Sequence, residues 1–376
     1  MESPFQYGAV VGGKYYINRE VEKQRIIQNL LSGTCTMVTT LRRSGKTSLM
    51  QDCITELNRS NQNVKTAYVD LFTISTEKEF FDILVKAVLQ AISENAAYCA
   101  EFLMQHLEGI VAEVSKTTCS ADFLVSIAQE DVDSKPAEIL AFAEKVAVAH
   151  DVRLVICIDD FHNIGKFKSF SAFEKRLRIS WQKQKHVSYC LFGSKPFLMK
   201  RIFTLPSKPY CRFGDFIRLL KIDTEEWVAY ITSRFKSTGR FIPKNMAHKI
   251  AMLMDNHPWY VQQLAHYAWL NTDRELTQVE LDEALNQVVN TNSPYYINLY
   301  EAICKTQINM LTAIYLGESQ LNSKRVMDTY DMGTNRNITR NKQSLERMEI
   351  IEPIPDGFKF VDPVFAIWFG KRIVNI

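Results

Sequence analysis

Two short polar motifs, about 110 residues apart, carry the side chains that can do chemistry in this chain. The first is Gly45-Lys46-Thr47 in the stretch TTLRRSGKTSLM (39–50), which ends like a phosphate-binding loop of pattern G-x-x-x-x-G-K-[ST]. The second is Asp159-Asp160, which directly follows the apolar run LVICI (154–158). Backbone amides, an ammonium, a hydroxyl and a carboxylate together can hold a triphosphate and Mg²⁺.

The residue types assign a role to each group. Backbone N–H groups of Ser44 to Thr47, at a helix N-terminus, would cradle phosphates, and Lys46 would neutralise their outer oxygens. Thr47 and Asp159 are the candidate Mg²⁺ ligands, and Asp160 could polarise an attacking water. The Asp160 side chain is one methylene shorter than that of glutamate, so its reach to such a water is shorter. The predicted nucleotide-binding set around the loop is Thr40, Arg43, Ser44, Gly45, Lys46, Thr47 and Ser48.

Other interpretations of these motifs exist. A lone G-K-T tripeptide carries little information, and two acids after a strand can be a solvated strand end. The loop also lacks its first glycine, because Thr40 occupies that position. Glycine there makes a tight turn without a Cβ clash. We expect nucleotide binding to survive Thr40, with altered loop geometry and turnover.

The elements around the motifs favour an α/β fold. Apolar runs alternate with helix-like segments, which indicates βαβ units and a mainly parallel sheet. A continuous apolar run such as 152–160 is typical of a strand buried on both faces. Residues 97–150 are expected to form a helical insertion. The predicted strands are CTMVTT (35–40), VKTAYVDLF (64–72), VRLVICIDD (152–160), SYCLFGS (188–194) and FIRLLKI (216–222).

The second half of the chain lacks this strand signal. Four helix-like segments between 223 and 290 begin at cap residues, among them Thr277 with Glu280 as a capping box. From about 296 the pattern is helix, short helix, helix and then a β-hairpin with a turn at Asp356-Gly357. The predicted domains are therefore a core at 1–222, a helical lid at 223–295 and a winged helix at 296–376.

Composition excludes several classes of protein. The chain of 376 residues has 46% hydrophobic residues and a net charge of +3, which is not a nucleic-acid-type basic excess. No apolar run approaches the ~20 residues needed to cross a bilayer, and no signal peptide is evident. No pair of the eight cysteines has C-x-x-C spacing, so free thiols in a cytoplasmic protein are expected.

The combination of motifs resembles the archaeal and bacterial AAA-type ATPases of the STAND-related P-loop group. The similarity runs nearly end to end, although Asp160 and His162 depart from the family's D-E-F-Q pattern. The stretches that carry it are 3–26, RRSGKTSL (42–49), LVICIDDFHNI (154–164), 178–203 and VDPVFAIWF (361–369). The resemblance implies an α/β P-loop NTPase core with an AAA+-like parallel sheet sandwiched by helices. It also implies an all-α lid and a C-terminal winged-helix domain.

The same resemblance implies further site residues. Val10, Val11 and Arg19 should border the adenine, and the lid motif NHPWYVQQL (256–264) suggests Pro258 near the base and His257 near the phosphates. Ser194, at the end of the strand after Asp159, is the candidate γ-phosphate sensor. Arg178 and Arg212 are candidate arginine fingers. A surface salt bridge or strand-end contact is the alternative for each of these residues.

The implied function is an ATP-binding protein that hydrolyses ATP with Mg²⁺ and acts as a conformational switch on a protein or DNA partner. The alternative is a nucleotide-stabilised DNA-binding or scaffold module with negligible hydrolysis. Residues 300–376 carry ten Lys/Arg against nine Asp/Glu. This near balance leaves duplex DNA and a regulatory or subunit contact both open. Self-association also stays open, and no membrane partner is expected.

Overall fold

A computed structural model describes residues 2–8, 17, 19–40, 42–116, 123–206, 208–211 and 213–375. The chain forms two compact units. One is Arg19–Leu220, here called the core unit. The other combines Met1–Asn18 with Lys221–Ile376 and is here called the C-terminal unit. Within the described ranges, no helix is both long and apolar enough to cross a bilayer.

The core unit is built on a five-stranded parallel sheet of order β2-β5-β6-β1-β7. Helices accompany the strands along the chain. The strands are β1 (Thr36–Thr39), β2 (Val64–Asp70), β5 (Arg153–Asp159), β6 (Val187–Gly193) and β7 (Asp215–Arg218). The helices are α1 (Glu20–Leu31), α2 (Lys46–Ser60), α3 (Glu77–Gln90), α4 (Ala96–His106), α5 (Gln129–Ser134), α6 (Pro136–Ala149), α7 (Phe170–Trp181) and α8 (Pro196–Phe203).

Burial explains why the apolar runs become central strands. Every residue of β6 is buried, and so is every residue of β5 after Arg153. Such strands have no solvent face, which is why their sequences do not alternate. β6 lies between β1 and β5 in the sheet. The carboxyl end of β6 therefore lies between the phosphate-loop strand and the strand that ends at Asp159.

The insertion near residues 97–150 differs from the predicted all-helical segment. It contains an antiparallel hairpin of β3 (Ala112–Lys116) and β4 (Phe123–Ile127) beside α4, α5 and α6. β4 alternates buried and exposed residues, the period of a strand with one solvated face. The Asp82 carboxylate of α3 accepts from the Ile127 amide at 2.8 Å and so fixes the hairpin to the core. The predicted helical insertion is therefore wrong at 112–116 and 123–127, where two short, half-polar strands pair, whereas α4, α5 and α6 are helical.

The C-terminal unit is mainly helical. α12 runs unbroken through the predicted lid boundary at 295, with Pro294 inside it. After it come three helices and a two-stranded hairpin, in the predicted order. The elements are α9 (Thr224–Ser237), α10 (Lys244–Leu253), α11 (Pro258–Asn271), α12 (Gln278–Glu301), α13 (Lys305–Tyr315), α14 (Lys324–Thr329), α15 (Asn335–Arg347), β8 (Ile351–Ile354), β9 (Gly357–Phe360) and α16 (Pro363–Phe369).

The described N-terminal residues belong to this second unit. Phe5 is 3% exposed and its ring lies 5.7 Å from that of Phe235 in α9. The Gln6 amide donates to the Gln262 side chain in α11 at 3.3 Å. The sequence prediction had grouped this segment with the ATPase core, whereas its described contacts here are with helices α9 and α11.

Asp362 joins three helices of the C-terminal unit. Its carboxylate caps α16 by accepting from the Val364 and Phe365 amides, each at 2.9 Å. It also accepts from the hydroxyls of Tyr260 in α11 and Tyr296 in α12. The stretch VDPVFAIWF (361–369) is thus a packing seam, in which Trp368 and Phe369 are buried at 4% and 0% exposure.

Candidate functional site

The phosphate loop joins β1 to α2, and two of its described residues have a left-handed backbone. Arg43 has φ +59° and Gly45, the N-cap of α2, has φ +80°. Alternating conformations of this kind turn successive N–H groups toward one concavity, an anion-binding arrangement. Apart from its chain neighbours, no described residue has an atom within 4 Å of a Cβ built on Gly45, so the requirement for glycine comes from φ and not from space. Thr40, which is 3% exposed, is not among the described residues with positive φ.

Lys46 connects α2 to the end of β5. Its ammonium contacts Asp159 Oδ1 and lies 3.1 Å from Asp160 Oδ1. Thr47 Oγ1 donates to Asp159 Oδ2 at 3.2 Å. The side chains of Lys46 and Asp159 are 9% and 7% exposed. The loop and the acid motif therefore meet, as predicted, in one buried cluster of charges.

Asp160 continues this cluster from a strained backbone position. It has φ +49°, and Ser194 Oγ donates to its Oδ1 at 3.1 Å. Burial alone would raise the pKa of this carboxyl, but the charge and hydrogen bond of Lys46, together with the hydrogen bond of Ser194, hold the pKa below its ordinary value. The sheet order explains why Ser194 arrives here, because β6 ends between β1 and β5.

His162 is a member of the site that the sequence prediction did not include. It lies in the 3₁₀ turn Phe161–Lys166 and is 5% exposed, with Nδ1 3.9 Å from Asp160 Oδ1. Nδ1 is buried and has no hydrogen-bond partner among the described residues. Burial, helped by nearby cations, lowers the pKa of His162 to about 4, so the ring is neutral at pH 7. In the sequence, His162 stands out only because it departs from the D-E-F-Q pattern of the family that the chain resembles.

Strand β2 brings two more side chains to the same end of the sheet. Asp70 is in register with Asp159, and its carboxylate accepts from the Phe72 amide at 2.9 Å. Burial, followed by the charge of Asp159, raises the pKa of Tyr68. Parallel strands end at one edge, so this neighbourhood follows from the sheet once its order is known. The described residues hold no cluster of three or more ligands arranged for a metal ion by themselves.

Several predicted site residues have other contacts. Arg19 is 6% exposed and donates to the Leu220 carbonyl at 2.6 Å and to Glu22 at 3.0 Å. Arg178 donates to the Pro209 carbonyl at 2.9 Å, with its guanidinium 4.3 Å from the centre of the Phe213 ring. These contacts lie within the core unit, and the adenine-contact and arginine-finger roles stay predictions. Val10, Val11 and Arg212 lie outside the described residues.

The predicted lid motif begins α11 in the C-terminal unit. Pro258 is the first residue of this helix and His257, 4% exposed, is its N-cap. Asn256, the first residue of the motif, has φ +55°. Asparagine tolerates this left-handed conformation better than most residues. The contacts of His257 and Pro258 with a nucleotide stay predictions.

One protein-family model matches the part of the chain that contains both motifs. Residues 44–169 match the KAP family P-loop domain. This range begins in the phosphate loop at Ser44 and extends past the acid motif at Asp159-Asp160. The core has a P-loop NTPase fold. No curated protein matches the chain.

Solved structures extend the fold similarity beyond this P-loop NTPase core. A Walker-type ATPase of Pyrococcus abyssi matches with a TM-score of 0.64 and 16% identity, covering 95% of this chain and 96% of that one. The ORC2 protein of Aeropyrum pernix, in ADPNP–ADP complexes, matches at 0.59 and 14%, covering 99% and 98%. The ORC1 protein of the same organism, in complex with DNA, matches at 0.51 and 12%, covering 99% and 98%.

The predicted fold class is confirmed by these similarities. The P-loop part of the family assignment is confirmed as well, whereas its STAND-related part stays a prediction. The division into core, lid and winged helix also stays a prediction. What is established is that a P-loop NTPase core carries Lys46, Thr47, Asp159, Asp160 and Ser194 at one edge of its sheet.

Proposed function

We propose that the protein binds ATP with Mg²⁺ in the core unit and hydrolyses it. One observation carries this proposal: Lys46, Thr47 and Asp159 from two separate motifs form a single buried cluster at the N-terminus of α2. A helix N-terminus with a left-handed glycine supplies amide donors, and the lysine supplies positive charge. We further propose that the protein works in the cytoplasm.

The donor set fits a magnesium–nucleotide complex. Thr47 and Asp159 offer the hard oxygen ligands that Mg²⁺ prefers, and few protein ligands suffice because the ion retains waters and phosphate oxygens. When bound, Mg²⁺ would neutralise charge on the phosphates. Lys46 now pairs with carboxylates, and phosphate oxygens would replace them as its partners. Asp159 and Asp160 would then lose the positive charge of Lys46 as their partner. Mg²⁺ would replace that charge at Asp159.

Asp160 is the proposed group for activating water. Its Oδ1 is held by Lys46 and Ser194, whereas Oδ2 has no hydrogen-bond partner among the described residues. An unprotonated oxygen that can reach the attacking water is what a general base requires. The lowered pKa of Asp160 keeps it ionised at neutral pH. Ser194 would position this carboxylate and sense the outer phosphate.

We propose that the nucleotide acts as a switch on a partner. The similarity to the ORC1 protein in complex with DNA supports DNA as that partner. Arg336, Arg340 and Arg347 of α15 are exposed, which suits a phosphate backbone. Lys342 is half-buried and donates to Asn322 Oδ1 at 2.7 Å, so it is already engaged. With a near-balanced charge over 300–376, a protein partner competes with DNA.

The alternative, a nucleotide-stabilised scaffold without turnover, is favoured by one observation. Asp160 is shorter than glutamate, and its Oδ1 is committed to Lys46 and Ser194. The two proposals differ in phosphate release and not in binding.

Phosphate release by the purified full chain, measured with and without duplex DNA, separates the two proposals. We expect Asp160→Asn to bind ATP with wild-type affinity and to lose turnover. Lys175→Ala, at an exposed lysine of α7, is the matched control and should behave as wild type. Tight ATP binding without phosphate release under any condition would contradict hydrolysis and favour the scaffold. Stimulation by duplex DNA would identify the partner class.

A further inference from the structure

His162 is buried beside Asp160 in a way that ordinary core packing does not explain. Its ring is neutral and 5% exposed, yet Nδ1 has no hydrogen-bond partner among the described residues. The Asp160 carboxylate is a charged neighbour of this nitrogen, with Oδ1 3.9 Å from Nδ1. A buried polar nitrogen normally has a partner, and one without a partner often marks a functional position.

The turn that carries His162 is held on both sides. Phe161 is fully buried, with its ring 5.6 Å from that of Phe203. The Asn163 side chain donates to the Leu71 carbonyl at 2.9 Å. Asp160, which precedes the turn, has its φ in the left-handed region. The imidazole is therefore fixed near the carboxylate by its neighbours, and a shift of about 1 Å would bring the pair to hydrogen-bond distance.

Lys46 is the group that would leave Asp160 during the reaction. It lies 3.1 Å from Asp160 Oδ1 and also contacts Asp159. In the proposed function, the ammonium turns to phosphate oxygens. Among the described residues, Oδ1 would then keep only Ser194 as a donor, and the carboxylate would lose its contact with Lys46. A neutral imidazole in the Nδ1–H form is the next available donor.

We propose that His162 is a positioning residue that donates from Nδ1 to Asp160 Oδ1 once Lys46 engages the nucleotide, leaving Oδ2 directed at the attacking water. This inference rests on the proposed ATP hydrolysis. His162 touches neither phosphate nor water in this role and acts through Asp160. The pairing compensates for the shorter carboxylate, because a second fixed donor restricts where Oδ2 can point.

Three substitutions separate this role from packing. Asparagine places its amide nitrogen close to the position of Nδ1, glutamine places it closer to Nε2, and leucine fills the space without a donor. We expect His162→Leu and His162→Gln to lower kcat about 10- to 100-fold with KM and ATP affinity changed less than about twofold. His162→Asn should restore most of kcat.

A direct readout does not require turnover. The ¹⁵N spectrum of the full chain, with the His162 signals assigned by their loss in His162→Asn, should show a hydrogen-bonded Nδ1–H upon addition of a non-hydrolysable ATP analogue with Mg²⁺. The proposal is overturned if the His162 signals do not change on binding. It is also overturned if leucine and asparagine variants hydrolyse ATP equally. If wild type binds ATP and the spectrum changes without hydrolysis, the positioning contact stands and the ATPase proposal fails. If wild type binds no ATP, both fail.

Discussion

The ion pair between Lys46 and Asp159 makes a quantitative prediction about the nucleotide-free protein. Both side chains are less than one-tenth exposed, and Asp160 is close by. Removing one partner of a buried pair costs about 3–5 kcal/mol, because the other charge is left unpaired. Asp159 keeps two donors after Lys46→Met, namely the Asp160 amide at 2.6 Å and Thr47 Oγ1 at 3.2 Å. We therefore expect Lys46→Met to lower the free energy of unfolding by about 3 kcal/mol, the low end of this range.

A double-mutant cycle tests this reasoning. Lys46→Met together with Asp159→Asn removes both charges, so the combined loss should be smaller than the sum of the single losses by about 2 kcal/mol. Hydrogen exchange of β5 and β6 peptides, followed by mass spectrometry as a function of urea, reports opening of the core unit alone. Lys175→Met should leave exchange unchanged. If the losses of the two single variants sum to the loss of the double variant within about 0.5 kcal/mol, the buried pair is refuted.

Three further substitutions follow from the core unit. Thr40→Gly should lower the melting temperature without raising ATP affinity, because the backbone at Thr40 does not have the positive φ that favours glycine. Calorimetry and ATP titration measure these two quantities. Burial alone would raise the pKa of Asp215, but the charge and hydrogen bonds of Arg25, at 2.7 and 2.6 Å, together with the Asn29 hydrogen bond, hold the pKa below its ordinary value. The contribution of Asp215 to the free energy of unfolding is therefore present above pH ~4 and is lost as pH falls through the lower native pKa. This pH-dependent part, about 1 kcal/mol, should be absent from the urea unfolding of Asp215→Asn. Gly214→Ala would place Cβ 2.0 Å from the Cys35 carbonyl oxygen, so β7 must shift, and urea unfolding should show a loss of about 3 kcal/mol.

The core sheet could be predicted from sequence because its strands are continuous apolar runs. Each predicted strand agrees with an observed one to within a few residues, including 152–160 against Arg153–Asp159. The site followed from the same signal, because catalytic side chains of parallel sheets lie where strands end. Lys46, Asp159 and Ser194 could therefore be placed together before the strand order was known.

Other features depend on tertiary contacts that a linear pattern does not contain. The β3–β4 hairpin was missed because each strand has five residues and one polar face. The predicted end of the lid at 295 does not coincide with a helix end, because α12 accommodates Pro294 and continues to Glu301 as a 24-residue helix. His162 could not be placed from sequence, because its position depends on the left-handed φ of Asp160 and on the 3₁₀ turn that follows.

Equilibrium binding of Mg²⁺–ATP to the full chain tests the central claim most directly. Isothermal titration of wild type should show one site, and Lys46→Ala should weaken affinity about 100-fold or more, since a charged partner of the phosphates is lost. Lys175→Ala should bind as wild type. Equal affinities for wild type and Lys46→Ala would contradict a nucleotide site at the start of α2.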